Sequence, residues 1–178
     1  MAIETTRRQI LISTLVLSAT ACRRAEPDLA GYTEEEPPHL SSTIRANDPQ
    51  IVPQLLSGWY PAEQNPWRWT ARTFAVALWP PPGSAARGSI LRVRLAVPEV
   101  LLAQLKSTTL SASIRGVQLA PETYRQPGMA FYNRDVPASA VSGDSVRVDF
   151  AVEKPFRPNV ADSRELGVIV HNLSLETK

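Results

Sequence analysis

Residues 89–97 (SILRVRLAV) alternate along their whole length: Leu91, Val93, Leu95 and Val97 fall on one side, Arg92 and Arg94 on the other. A period of two is what a strand needs when one of its faces is buried and the other wet. Residues 145–152 (SVRVDFAV) repeat the pattern, with Val146, Val148, Phe150 and Val152 opposed to Arg147 and Asp149. Residues 109–114 (TLSASI) alternate again, and Arg115-Gly116 marks a turn before Val117-Gln118-Leu119. Residues 69–78 (WTARTFAVAL) are rich in β-forming Trp, Thr, Phe and Val. Near the C-terminus, Leu166, Val168 and Val170 are followed by Leu173 and Leu175, so the alternation skips once near His171-Asn172. One helix is predicted, over residues 98–106 (PEVLLAQLK), where Pro98 and Glu99 suit a first turn. Short half-buried strands broken by Pro and Gly predict an all-β protein, a two-sheet antiparallel β-sandwich of jelly-roll type.

The first fifty residues do not share this pattern. Arg7 and Arg8 precede a compact apolar run from Ile10 to Leu17, then the small residues Ser18-Ala19-Thr20-Ala21 lead into Cys22. The run is well short of the about 20 residues that span hydrocarbon, so residues 1–21 are expected to be a secretion signal rather than a membrane helix. Small residues running into a cysteine resemble the lipobox of bacterial lipoproteins, although Ala19 stands where Leu, Val or Ile is usual. That resemblance implies diacylation of Cys22. The alternative is an ordinary signal cut near Ala21 that leaves a free thiol. Cys22 is the only cysteine, so an exported chain has no internal disulfide to use it in. The segment Thr6-Arg7-Arg8-Gln9-Ile10-Leu11 also resembles a twin-arginine export signal, while two arginines serve equally as an ordinary basic n-region. From Cys22 to Gln50 the chain carries Pro27, Pro37, Pro38, Pro49 and the acidic run Glu34-Glu35-Glu36, a composition that predicts a flexible tether. The domain is then expected over residues 51–178, and the location at the membrane of a bacterial cell envelope, on its periplasmic or surface face.

Charge narrows the partners. The chain has 19 basic and 17 acidic residues for a net charge of +2, without the excess that nucleic-acid binding requires. Aromatic residues are concentrated: Gly58-Trp59-Tyr60 is followed by Glu63 and by Trp67-Arg68-Trp69-Thr70. Exposed aromatic rings stack on the apolar faces of sugars, and polar neighbours satisfy the hydroxyls. Trp59, Tyr60, Glu63, Trp67 and Arg68 are therefore the candidate ligand-binding residues, with Gln64 and Asn65 beside them. Trp69 and Phe74 are expected in the core.

These residues also carry a resemblance. Gly58, Trp59 and Glu63, then Arg68-Trp69-Thr70, then Arg164, Leu166 and Gly167 are similar to the opening and closing motifs of a β-sandwich module found in bacterial envelope proteins and appended to glycosyltransferases. The resemblance covers about residues 56–176 and implies a carbohydrate-binding-module-like fold. It also suggests that Glu63 and Arg164 pair to tie the two ends of the sandwich together.

Catalytic motifs are not apparent. His39 lies in the predicted tether and His171 in a predicted strand, which leaves no zinc cluster. Asp144, Asp149 and Asp162 lack calcium-loop spacing. Glu63, Asp162 and Glu165 are the only carboxylates that suggest a glycosidase pair, and acidic residues at strand ends more often pair with Arg. No nucleophile elbow, phosphate loop or dinucleotide fingerprint appears. The sequence thus points away from an enzyme and from cofactors. It leaves two readings: a binding module for envelope glycan, or a structural lipoprotein that docks another envelope protein.

Overall fold

The structure is a computed structural model and describes residues 40–63, 65–160 and 162–178. The chain divides into two units, Met1–Glu35 and Glu36–Lys178. Residues 1–39, which include the predicted secretion signal, Cys22 and the first part of the predicted tether, lie outside the described residues.

The described chain runs β1 (Thr43–Arg45), a 3-10 helix (Pro49–Gln54), β2 (Leu55–Trp59), β3 (Arg68–Leu78), α1 (Ser84–Arg87), β4 (Ser89–Val97), α2 (Glu99–Leu105), β5 (Thr108–Ile114), β6 (Val117–Tyr124), β7 (Gly128–Val136), a second 3-10 turn (Ala138–Ala140), β8 (Val146–Val152) and β9 (Ile169–Thr177). All strand pairings are antiparallel. The nine strands form one hydrogen-bonded ladder that folds over at β3, which pairs with both β9 and β8, into two faces: β1-β9-β4-β7 and β2-β3-β8-β5-β6. We call them the front and back sheets. Setting β2 aside, β1-β9-β4-β7 over β3-β8-β5-β6 is the strand order of a jelly roll, made of two interlocked Greek keys.

The alternating strands behave as their pattern dictates. Leu91, Val93, Leu95 and Val97 of β4 are buried, and Arg92 and Arg94 are exposed. Their buried faces meet Phe74, Val76, Leu110, Ile114, Val148 and Phe150 of the back sheet in one core cluster. Phe74 and Phe150 are register partners and stack at 4.6 Å between ring centroids. Tyr132 of β7 meets Phe150 edge-on, joining the sheets across the core. Pro98 stands at the N-cap position of α2, one residue before the first turn in which the helix prediction put it.

Three strands differ from the sequence expectation. β1 lies inside the predicted tether, yet it pairs with β9 from Thr43↔Ser174 to Arg45↔Asn172, and Ile44 is 1% exposed. The fold therefore begins before Ile51, because the edge of β9 needs a partner and Ile44 fills the core beside Leu173. Gln50, the predicted end of the tether, sits within the 3-10 helix, whose Ile51 and Gln54 are also buried. β2 adds to the outer edge of β3. β7 escapes a binary pattern because its outward positions include Met129 and Phe131, while Arg134 folds inward over the Tyr132 ring at 4.6 Å. From there Arg134 bonds Ala120 O, Pro121 O and Glu122, while the Tyr132 hydroxyl donates to Ala120 O at 3.0 Å. These bonds stitch β7 to β6, the edge strand of the other sheet.

Candidate functional site

The motif residues converge on the corner where β3 changes sheets. Arg68 and Trp69 pair with Val170 and Ile169 of the front sheet, while Thr73 onward pairs with β8 of the back sheet. Thr70 sits between these two registers and is 0% exposed. Its hydroxyl donates to Val168 O and accepts from Val168 N–H, both at 3.1 Å, and its carbonyl accepts from Gly167 N–H at 2.7 Å. Gly167 approaches so closely that a Cβ there would lie 2.5 Å from Ala71 O and 2.7 Å from the Thr70 hydroxyl. The Arg-Trp-Thr and Leu-Gly motifs are thus two halves of one contact, formed across almost a hundred residues.

The other motif positions reinforce that corner. Gly58 has φ +71°, and a Cβ would meet Thr73 O at 2.0 Å, so only glycine allows β2 to lie this close to β3. Trp59, half-buried, packs edge-on against Phe74 at 5.1 Å, and its indole N–H donates to Ala75 O at 2.8 Å. Arg68 Nε donates to Ala46 O, and Nη1 donates to Tyr60 O at 3.2 Å. The Tyr60 hydroxyl donates to Glu165 O at 3.0 Å. Arg164 lies over the Tyr60 ring at 5.1 Å, holds Asp162 through Nε and Nη2, and forms the expected ion pair with Glu63. The hydrogen bonds from Arg164 hold the Asp162 carboxyl down at about 2 and raise the guanidinium above its ordinary value. Glu63 and Asp162 share one arginine, so both carboxylates are engaged in ion pairs.

Most residues of the predicted ring platform are thus engaged within the fold. Trp59 is a packing anchor, and Tyr60, Glu63 and Arg68 are committed to intramolecular bonds. Trp67 is half-buried and meets Trp69 edge-on at 6.4 Å. Trp69 is not in the core cluster: its register partner Ile169 lies opposite the buried Val168 and Val170, so Trp69 sits on the outer face of the front sheet. Phe74, by contrast, is core as expected, at 1% exposure.

That outer face carries a candidate site the sequence reading missed. Register places Phe131, Arg94, Asn172 and Arg45 in one row across β7, β4, β9 and β1. A second row runs Asn133, Arg92, Ser174 and Thr43, and a third, apolar row runs Met129, Ala96, Ile169 and Trp69. The skipped alternation near His171 is a β-bulge: Arg94 pairs with Asn172 and Leu95 with Val170, leaving His171 unpaired between them. Two adjoining hollows, of about 320 and 410 Å³, share Arg94 and Asn172. Phe131 is 59% exposed at the margin of the first, and His171 lines the second. Burial and the charge of Arg94 lower the His171 pKa below its ordinary value.

The charges on this face are only partly matched. Arg92 pairs with Glu176 at 2.8 Å and Lys178 with Asp135 at 3.2 Å. Among the described residues, no ion pair holds Arg45 or Arg94, and none makes a hydrogen bond to the side chain of Arg45, Arg94, Asn133 or Asn172. The outer face of the back sheet differs. It has a hollow of about 370 Å³ floored by small side chains such as Ala75, Ser111 and Ala151, and Arg147 there is already paired with Asp149. Among the described residues, no group of His, Cys, Asp and Glu is arranged to hold a metal ion.

No family model and no curated protein sequence matches the chain. Among solved structures it is similar to dimeric latent PorU from Porphyromonas gingivalis, at 13% identity and TM-score 0.43, over 70% of this chain and 12% of that one. It is also similar to the CBM36-1 domain of a multidomain xylanase from the hindgut metagenome of Trinervitermes trinervoides (10% identity, TM-score 0.36, 60% of this chain and 71% of that one). A third likeness is to the CBM51-2 and INT domains of Clostridium perfringens ZmpB (14% identity, TM-score 0.31, 75% of this chain and 28% of that one).

Proposed function

We propose that the folded unit is a non-catalytic binding module for cell-envelope glycan, held at the membrane by a lipid on Cys22. The observation that carries the reading is the row Phe131–Arg94–Asn172–Arg45, an exposed ring in line with polar side chains that have no side-chain partner among the described residues. Sugars present an apolar C–H face beside hydroxyls, and a ring flanked by free donors and acceptors is the matching surface. The face is shallow and spans four strands, which suits a chain of sugars lying across it.

A glycan array on the full-length chain in detergent, followed by calorimetric titration of the best hits, tests the binding. Phe131→Ala is expected to lower affinity at least tenfold and leave the melting temperature within about 3 °C, since the ring is mostly outside the core. Equal affinity of Phe131→Ala for every hit would remove the face from consideration. For the anchor, Cys22→Ala is expected to move the protein from the membrane to the soluble fraction, because two acyl chains at about 0.8 kcal/mol per buried CH₂ supply the attachment. Retention of the variant in membranes would contradict it.

The docking reading has its own support in the apolar row beside the site, where Met129 is 47% exposed next to Ala96 and Ile169 on the edge of the sheet. It becomes the better reading if no glycan binds and Met129→Glu abolishes a cross-link to a defined envelope protein.

A further inference from the structure

The charge left over on the front face has a specific arrangement. With Arg92 matched by Glu176 and Lys178 by Asp135, Arg94 and Arg45 are the cations of this face that no described residue pairs with. Both are in register with the same residue, Asn172, one from β4 and one from β1. Two strand spacings separate their Cα atoms by about 10 Å, which leaves room for one small anion between the side chains. Asn172 stands between them, and its amide has no partner among the described residues. His171 lies at the bulge beside them, and burial and the charge of Arg94 lower its pKa below the ordinary value. On the other side of Arg94, one strand away, lies the exposed ring of Phe131.

Two guanidiniums without a carboxylate of their own repel each other and gain from an incoming anion. A planar carboxylate accepts hydrogen bonds from both in the fork geometry that Arg provides. The adjacent ring requires an apolar face within one strand spacing of that anion. A sugar bearing a carboxylate on its ring meets both conditions in one residue or in two consecutive ones.

We infer that this face takes an acidic oligosaccharide, a uronate carboxylate seated between Arg94 and Arg45 over Asn172 with a neighbouring sugar face against Phe131. The inference rests on the glycan-binding reading and names its ligand class.

The test is calorimetric titration of the full-length chain with galacturonate, mannuronate and glucuronate-containing oligomers, each paired with its carboxyl-reduced neutral twin. At least one acidic oligomer is expected to bind, with its twin at least tenfold weaker. Arg94→Gln and Arg45→Gln should each weaken the acidic oligomer fivefold or more and leave the twin unchanged. Phe131→Ala should weaken both. Raising salt from 50 to 300 mM should weaken only the acidic member. Equal affinity for an acid and its twin overturns the charge assignment while the glycan reading stands. Failure of every acidic and neutral oligomer overturns both. Binding of an acidic peptide (residues 31–40, with Glu34-Glu35-Glu36) that is sensitive to Arg94→Gln, with no saccharide bound, shows a peptide surface and also overturns the inference.

Discussion

Replacing Thr70 by Val keeps the shape of a fully buried side chain and removes its hydroxyl. That hydroxyl both donates to Val168 O and accepts from Val168 N–H. Val168 O keeps a second donor, the Thr70 N–H at 3.0 Å, so its loss is mild. Val168 N–H has no other acceptor among the described residues and is left buried and unsatisfied, at a cost of about 1–3 kcal/mol. The lost bond through Val168 O adds about 1 kcal/mol at most, and the extra methyl recovers a fraction of that. The expected destabilisation of Thr70→Val is therefore about 2–3 kcal/mol, or a fall of about 10 °C in melting temperature for a unit of this size. Thr70→Ser retains the hydroxyl and loses one methyl, about 1 kcal/mol. Urea denaturation of the wild-type chain and both variants gives the comparison, provided the slopes agree so that only stability has changed. The reasoning fails if Thr70→Val lies within 0.5 kcal/mol of wild type, or if Thr70→Ser costs as much as Thr70→Val. Either result would mean that the corner is held by packing and not by this pair of bonds.

Trp59→Ala is expected to cost about 2–3 kcal/mol, less than a fully buried Trp, and to leave glycan affinity unchanged when measured below the melting temperature. A chain beginning at Leu40 should melt as the full-length protein does. One beginning at Ile51 should lose at least about 2–4 kcal/mol with Ile44 and β1, and equal melting of the two would return the domain boundary to Ile51. Asp162 has a folded pKa of about 2 against an ordinary 3.8, so its contribution is present above about pH 4 and is lost as pH falls toward 2. Asp162→Asn should accordingly be less stable than wild type at pH 5, with the two converging near pH 2 in urea midpoints, and a constant gap across that range would refute the linkage.

The strands that alternate cleanly were legible because each buries one face only. β4 and β8 are found within a residue of their predicted bounds, and the helix after Pro98 likewise. β1 was hidden by its three-residue length and proline-rich surroundings, and β7 by exposed Met129 and Phe131 on its outer side. The motif residues were found, and their expected role divided. Glu63 does pair with Arg164, but Trp59 and Arg68 serve the corner and not a surface. Trp69 shows why a strand tryptophan is hard to assign. Its position is set by which sheet the first turn of β3 joins, and nothing local in WRWT encodes that switch.

By itself the sequence determined the all-β class, the inward faces of the long strands and the irregularity at His171. These follow from periodicity, which is a local property of a half-buried strand. The tertiary structure decided which residues share a surface. Phe131, Arg94, Asn172 and Arg45 come from four strands scattered over most of the folded chain, and only the pairing of β9 between β1 and β4 puts them in one row. Register is set by the packing of the opposite, buried faces, Leu173 and Leu175 against the core, so the exposed row is a consequence of contacts made on the other side of the sheet.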